Sequence, residues 1–177
     1  MRRPVLLLLA AVLLLGSAKP GAMAPRFALP DLEGRTIDLA AYRGKVVLLD
    51  FWATWCAPCR AEIPRLIDLQ TKYRNRGVQI IGISLDDDAG AVRDFQREFK
   101  MNYPVVIGDA ALAKQYGGIL GLPVLFVIGR DGRIVRRHDG ELDLAKTRRE
   151  LERLASESAR PFTLHGGEGL PELPPAA

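Results

Sequence analysis

A chain of 177 residues, 48% hydrophobic and 26% charged, has the length and make-up of one globular domain with additional ends. Its formal charge is +4, but Arg2, Arg3 and Lys19 stand in a leader-like segment; without them 22 Lys and Arg face 21 Asp and Glu, a net of +1. So small a surplus speaks against nucleic acid as a partner.

The leader-like segment comes first. Arg2-Arg3 is a basic start, and Val5 to Leu15 is an unbroken apolar run of about eleven residues, short of the ~20 that span a bilayer. Ala22-Met23-Ala24 offers an A-x-A cleavage site, and Gly16-Ser17-Ala18 is a second candidate. No cysteine follows the apolar run, which excludes a lipid-modified N-terminus. Residues 1–24 are therefore read as a signal peptide or as an uncleaved signal anchor, the anchor being the one way the chain would touch a membrane. Either way the folded part, 25–157, is expected outside the cytoplasm, in a periplasm or on the outer face of the cytoplasmic membrane.

Two short strands are predicted at Arg26–Leu29 and Thr36–Leu39, joined by a turn at Pro30-Asp31-Leu32-Glu33-Gly34. Val46-Val47-Leu48-Leu49-Asp50-Phe51-Trp52 reads as a buried strand. A helix follows from about Pro58 to Arg76, with Ile63, Leu66, Ile67 and Tyr73 inward, a kink expected at Pro64 and a stop at Gly77. Val78 to Ser84 is a second apolar strand. Asp86-Asp87-Asp88 reads as a helix cap ahead of Ala91 to Lys100, whose Val92, Phe95 and Phe99 share a face. Tyr103 to Ile107 is a short strand, 110–116 a short helix closed by Gly117-Gly118. Val124 to Ile128 and Ile134 to His138 form a hairpin about Arg130-Asp131-Gly132. A last helix starts near Asp143 with Leu144, Leu151 and Leu154 inward. Residues 158–177, rich in Pro and Gly, read as a flexible tail. Strand, helix, strand, helix, hairpin and helix together imply an α/β fold, one mixed sheet covered by helices on both faces.

The only two cysteines, Cys56 and Cys59, lie in Trp55-Cys56-Ala57-Pro58-Cys59, between the first buried strand and its helix. A dithiol at a helix N-terminus has one thiol made acidic and nucleophilic by the unpaired N–H groups there, which is the requirement of thiol-disulfide exchange. Three blander readings compete. A structural disulfide closing about four residues would stabilise by only roughly 2 kcal/mol. A zinc site needs four ligands, and His138 and His165 lie far along the chain. Two unrelated buried thiols would not share a motif with Trp55 and Pro58. Cys56 is thus expected to attack and Cys59, a turn deeper, to resolve. Asp50 interrupts the apolar strand six residues before Cys56. Buried, it would have a raised pKa and accept the Cys59 proton; at a strand end it would be a hydrated acid. Glu62, one helical turn after Cys59, either faces the same site or complements the helix dipole in solvent. Of Trp52 and Trp55, one is expected in the core and the other as a lid beside Cys56.

The run Asp50-Phe51-Trp52-Ala53-Thr54-Trp55-Cys56-Ala57-Pro58-Cys59, with Pro64, resembles the active-site segment of thioredoxin-fold proteins, and Gly121-Leu122-Pro123 before Val124–Ile128 resembles that fold's cis-proline loop. The leading hairpin, Glu62, Ser84-Leu85-Asp86 and Asp131-Gly132 make the chain similar to the extracytoplasmic TlpA/ResA/CcmG group over about residues 26 to 155. The resemblance implies a thioredoxin-like three-layer α/β/α sandwich with a mixed central sheet and an N-terminal β-hairpin. It also implies a cis Leu122–Pro123 peptide facing the dithiol, a loop that docks the partner's backbone, and Glu62 as an active-site acid. Asp50 and Val124 depart from the group, many members of which carry Asn or an apolar residue, and Thr, at these places.

The catalytic set expected is Cys56, Cys59, Pro123, Glu62, Asp50 and Trp55, with no cofactor and no metal. The expected activity is a thiol-disulfide oxidoreductase that reduces client protein disulfides, for cytochrome c maturation or a similar task, with electrons from a membrane thiol carrier. An oxidase that donates its disulfide to secreted proteins is the alternative. A peroxidase is disfavoured because Thr54 is two residues before Cys56 and no P-x-x-x-T-x-x-C pattern exists. A copper-binding or docking module is disfavoured because the cysteine spacing is one residue short of the usual C-x-x-x-C and His138 at a strand end is expected at the surface.

Overall fold

The computed structural model describes residues 19–157; most of the predicted leader and the predicted tail, with His165, lie outside the described residues. The elements in chain order are strands β1 (Ala28–Pro30) and β2 (Thr36–Asp38), a single 3-10 turn (Leu39–Tyr42), β3 (Val46–Trp52), helix α1 (Ala57–Tyr73) and β4 (Val78–Ser84). They continue with α2 (Ala89–Glu98), β5 (Val105–Ile107), α3 (Ala110–Gln115), β6 (Val124–Ile128), β7 (Ile134–Asp139) and α4 (Leu144–Ser156).

Five strands form one mixed sheet in the order β5-β4-β3-β6-β7. β3 pairs in parallel with β4, and β4 with β5; β6 runs antiparallel to β3, and β7 antiparallel to β6. β1 and β2 make a separate antiparallel pair, the expected leading hairpin. β3 is central and every one of its seven residues, Asp50 included, is buried, as a strand covered on both faces must be. The parallel crossovers carry α1 and α2 over one face of the sheet, where Leu48, Trp52, Leu125 and Val127 meet Ile63, Leu66, Val92, Phe95, Leu151 and Leu154. The other face buries Val47, Leu49, Phe51 and Phe126 against Leu112 of α3 and Tyr116 at its C-cap, and against Phe27, Ile37 and Leu39 of the N-terminal part. Each fully buried side chain of this size contributes roughly 1.5–3 kcal/mol. The fold is the expected three-layer thioredoxin-like sandwich.

α1 runs unbroken through Pro64, which sits on its exposed side, and gives way to a 3-10 turn at Arg74–Arg76. Gly77 then stops it in the left-handed conformation (φ 76°), where a side chain would be strained. The acidic run before α2 divides its labour. Asp88 caps the helix through the Gly90 N–H (2.7 Å), whereas Asp86 is buried and turned away. Ahead of β1, the backbone lies along β7: the Gly21 N–H donates to the Ile134 carbonyl (2.7 Å), Ile134 returns a bond to Ala22 (2.8 Å), and the Ala24 N–H donates to Gly132 (3.0 Å). Among the described residues no helix is long and apolar enough to cross a membrane.

Candidate active site

β3 ends at Trp52, and Ala53-Thr54-Trp55 carries the chain to the start of α1. Cys56 is the N-cap of that helix. Its backbone is extended, and its Sγ accepts the Cys59 N–H at 3.2 Å, with Pro58 in the first turn where no donor is lost. The two cysteines are joined as a disulfide with Cα atoms 5.3 Å apart, and both are buried. The tryptophans part as expected: Trp52 is wholly buried against Phe95, and Trp55 is 70% exposed beside Cys56.

Asp50 stands in the middle of the central strand, only 2% exposed, so the hydrated strand-end reading does not hold. Alternation along β3 points it with Leu48 and Trp52 to the α1 face, the face of the dithiol. Burial pushes its pKa well above the ordinary carboxyl value, and the Glu62 charge pushes it further. Glu62 is also buried, on the inner side of α1, so the reading of a solvated first-turn acid does not hold either. Its pKa is raised to about 7 by burial, with Leu142 and Arg65 pulling it back and Glu141 adding to the rise. The Leu142 N–H lies toward the carboxylate without completing a hydrogen bond of ordinary geometry.

The Leu122–Pro123 peptide is cis. β6 begins at the next residue, and Val124 pairs with Phe51, so Pro123 falls beside the end of β3 from which the dithiol loop springs. The Pro123 carbonyl accepts the Gly140 N–H (2.9 Å), Leu122 packs against both cores, and Leu120 in the same loop is fully exposed. Opposite, Asp86 at the end of β4 accepts the Thr54 N–H (2.9 Å) and the Thr54 hydroxyl (2.5 Å), which ties the dithiol loop to the sheet.

The chain matches the model of the AhpC/TSA family over residues 20–137. It is 37% identical to the thiol-disulfide oxidoreductase ResA of Bacillus thuringiensis subsp. konkukian over 132 residues, 75% of this chain and 74% of that one. The chain belongs to the AhpC/TSA family. It is a thiol-disulfide oxidoreductase of the ResA type. ResA of Bacillus subtilis is 32% identical over 120 residues, covering 68% of this chain and 67% of that protein. A solved structure described as a putative thiol:disulfide interchange protein DsbE from Chlorobium tepidum superposes with a TM-score of 0.71 at 33% identity, over 78% of this chain and 99% of that one. Its substrates are accordingly the thiols and disulfides of proteins.

Among the described residues no group of three or more His, Cys, Asp and Glu is placed to hold a metal ion. His138 departs from its expected surface position. It is half-buried on β7, its Nε2 3.6 Å from Glu150 Oε2 of α4, with Leu125 of β6 between it and Asp50 across the sheet. Burial lowers its pKa, and the Glu150 carboxylate opposes that. Glu150 is held by Arg136 as well (2.9 Å). The sequence names Asp86 only within Ser84-Leu85-Asp86 and Asp86-Asp87-Asp88 and assigns no role to Glu150, because the partners that define their roles, Thr54 and Arg136, lie 32 and 14 residues away.

Proposed function

We propose that this protein is an extracytoplasmic reductant of client disulfides, supplied with electrons by a membrane thiol carrier and serving cytochrome c maturation or a similar haem-attachment task. The leader-like N-terminus and the family resemblance support the location and the client. The observation that carries the direction of electron flow is the pair of buried carboxyls, Asp50 and Glu62, on the dithiol's side of the sheet. Negative charge in a low dielectric disfavours a nearby thiolate, and a dithiol whose thiolate is disfavoured gives up its electrons readily.

In the cycle, the Cys56 thiolate attacks one sulfur of a client disulfide. A Cys56–client bond forms, the client S–S bond breaks, and the freed client thiolate takes a proton from water. Cys59 then yields its proton to the carboxylate of Asp50 or Glu62 and attacks Cys56 Sγ. The Cys56–Cys59 bond forms as the mixed disulfide breaks, and the second client thiolate leaves. Two electrons have passed from the dithiol to the client. The exposed Trp55 beside Cys56 and the Pro123 loop at the same end of the sheet seat the client's backbone as an added strand.

The test is the reduction potential of Cys56/Cys59, measured by equilibrating the protein against thiol buffers and following tryptophan fluorescence. A value near or below about −250 mV, close to that of thioredoxin, supports the reductant. A value near about −120 mV makes it a donor of disulfides and refutes the proposal.

A further inference from the structure

Gly82 lies mid-way along β4 with an ordinary strand backbone, so no torsion angle requires glycine there. Space does: a Cβ at this position would stand 3.0 Å from Trp52 Nε1, 3.3 Å from Val105 Cγ2 and 3.5 Å from Tyr103 Cε2. Gly82 is in register with Asp50 on one side and Val105 on the other. The missing side chain therefore lets the Trp52 indole and the Val105 side chain close over β4 next to Asp50, with the Tyr103 ring at ordinary contact distance beyond them.

The polar atoms brought together there complement one another. Tyr103 Oη and Trp52 Nε1 are donors; Asp50 Oδ1 and both Glu62 oxygens are acceptors. All five are buried without a hydrogen-bond partner among the described residues. Leaving such groups unsatisfied is costly, and native interiors meet the need by direct pairing or by an internal water with two to four polar partners. Packing brings Asp50, Glu62 and Tyr103 to one side of the sheet: Gly82 is in register with Asp50 and faces the Tyr103 ring, Tyr103 shares a core with Trp52 and the inner face of α1, and Glu62 is buried on that helix. The Asp50 and Glu62 charges both act on Tyr103, and Glu62 acts on Asp50. Burial, first, and those two charges hold the phenol proton well above its ordinary pKa, so Tyr103 stays a donor throughout the working range of pH.

We propose that Tyr103 is a positioning residue for the resolving step: its hydroxyl donates through an internal water to the carboxylate of the Asp50–Glu62 pair and so sets the pH at which Cys59 can attack. The proposal rests on the reading of Asp50 and Glu62 as acceptors of the Cys59 proton. A donor to the charged form of an acid lowers its pKa, so Tyr103 makes the acceptor available at lower pH than burial alone would allow. The other groups around the cluster are Trp52 of β3 and Cys56 and Cys59 at the head of α1. Arg65 and Glu141 act on Glu62, and Gln96 of α2 bonds only the Tyr103 carbonyl (3.5 Å).

The resolving step is followed by mixing the reduced full-length protein with excess 5,5′-dithiobis(2-nitrobenzoate) in a stopped-flow instrument from pH 5 to 9: attack by Cys56 forms the mixed disulfide and releases one equivalent of 5-thio-2-nitrobenzoate, and Cys59 then releases the second in a phase independent of reagent concentration. Tyr103→Phe keeps the ring and removes the donor. The midpoint of the rate profile is expected to move up by about one pH unit, a roughly tenfold slowing below it. In an Asp50→Asn/Glu62→Gln background the same change is expected to do nothing further. A Tyr103→Phe profile that superposes on the wild type, with the doubly substituted acid variant altered, overturns the role of Tyr103 alone. A one-unit shift persisting in the acid-free background also overturns it, since the hydroxyl would then act elsewhere. An acid-free variant with the wild-type profile overturns the acceptor reading and this inference together. Should Tyr103→Phe fail to fold, Tyr103→Met, which fills much of the same space without a donor, is expected to shift the midpoint in the same direction, and an unmoved midpoint counts against the proposal.

Discussion

Thr54 and Asp86, 32 residues apart, are joined twice: the Thr54 backbone N–H and hydroxyl both donate to the Asp86 carboxylate. The carboxylate is itself steadied by the Ser84 hydroxyl (2.7 Å), and the Leu85 N–H bonds the Trp52 carbonyl (2.9 Å). The loop that presents Trp55 and Cys56 is thus anchored to the end of β4, and its placement does not depend on its own short sequence.

Asp86→Ala removes the acceptor of three donors at once, the Thr54 N–H and hydroxyl and the Ser84 hydroxyl. Each unsatisfied buried donor costs about 1–3 kcal/mol, so a loss of roughly 2 kcal/mol or more is expected in urea unfolding, with faster amide exchange at Thr54. Unchanged exchange at Thr54 would show that the loop holds its shape without the tether.

The buried acids make the protein less stable as pH rises. Glu62 has a folded pKa of about 7 against the ordinary 4.5 of a glutamate, so between those values the folded chain keeps a proton that the unfolded chain has released. The unfolding free energy therefore falls with rising pH across that window. Glu62→Gln is expected to flatten this part of the profile and to be more stable than the wild type at pH 8, by on the order of 1–2 kcal/mol once partial water access is allowed for. Urea titrations from pH 4 to 8 decide it; parallel profiles for the two proteins would contradict the assignment.

Cys59→Ser leaves the attacking thiol without its resolver, so client proteins are expected to accumulate as mixed disulfides on Cys56, and Cys56→Ser is expected to trap none. Identification of the trapped proteins by mass spectrometry tests the client. A trapped set without any c-type apocytochrome sinks the maturation role while leaving the redox activity intact.

Trp55 exposes most of its surface, so Trp55→Ala is expected to alter stability by no more than about 0.5 kcal/mol. Its effect should appear with protein clients, as a several-fold fall in reduction rate, and be absent with a small soluble disulfide. Equal slowing with both would place the indole's role in the dithiol itself.

Local pattern carried most of the architecture. The apolar runs at Val46–Trp52 and Val124–Ile128 became β3 and β6 with the expected bounds, because both are buried on two faces and lack polar interruptions apart from Asp50. Cys56 and Cys59 were legible from spacing and from the strand-to-helix junction. What sequence could not supply was which distant partner completes each polar group. Asp86, Asp87 and Asp88 look alike in the chain, yet one ties the dithiol loop and another caps α2. His138 meets Glu150 only because β7 packs under α4. The neighbourhood of Tyr103, Gly82 and Asp50 exists only once three strands are laid side by side.

The backbone from Gly21 to Ala24 runs beside Gly132–Ile134 and shields the outer margin of the sheet there. Processing at one or the other of the two candidate points would leave different proteins. A cut after Ala18 keeps this border strip. A cut after Ala24 strips it and bares hydrogen-bonding groups on a sheet margin, a template on which a second molecule can add its own strand. The shorter form is expected to self-associate at concentrations where the longer one stays monomeric, and sedimentation of the two forms would reveal whether it does.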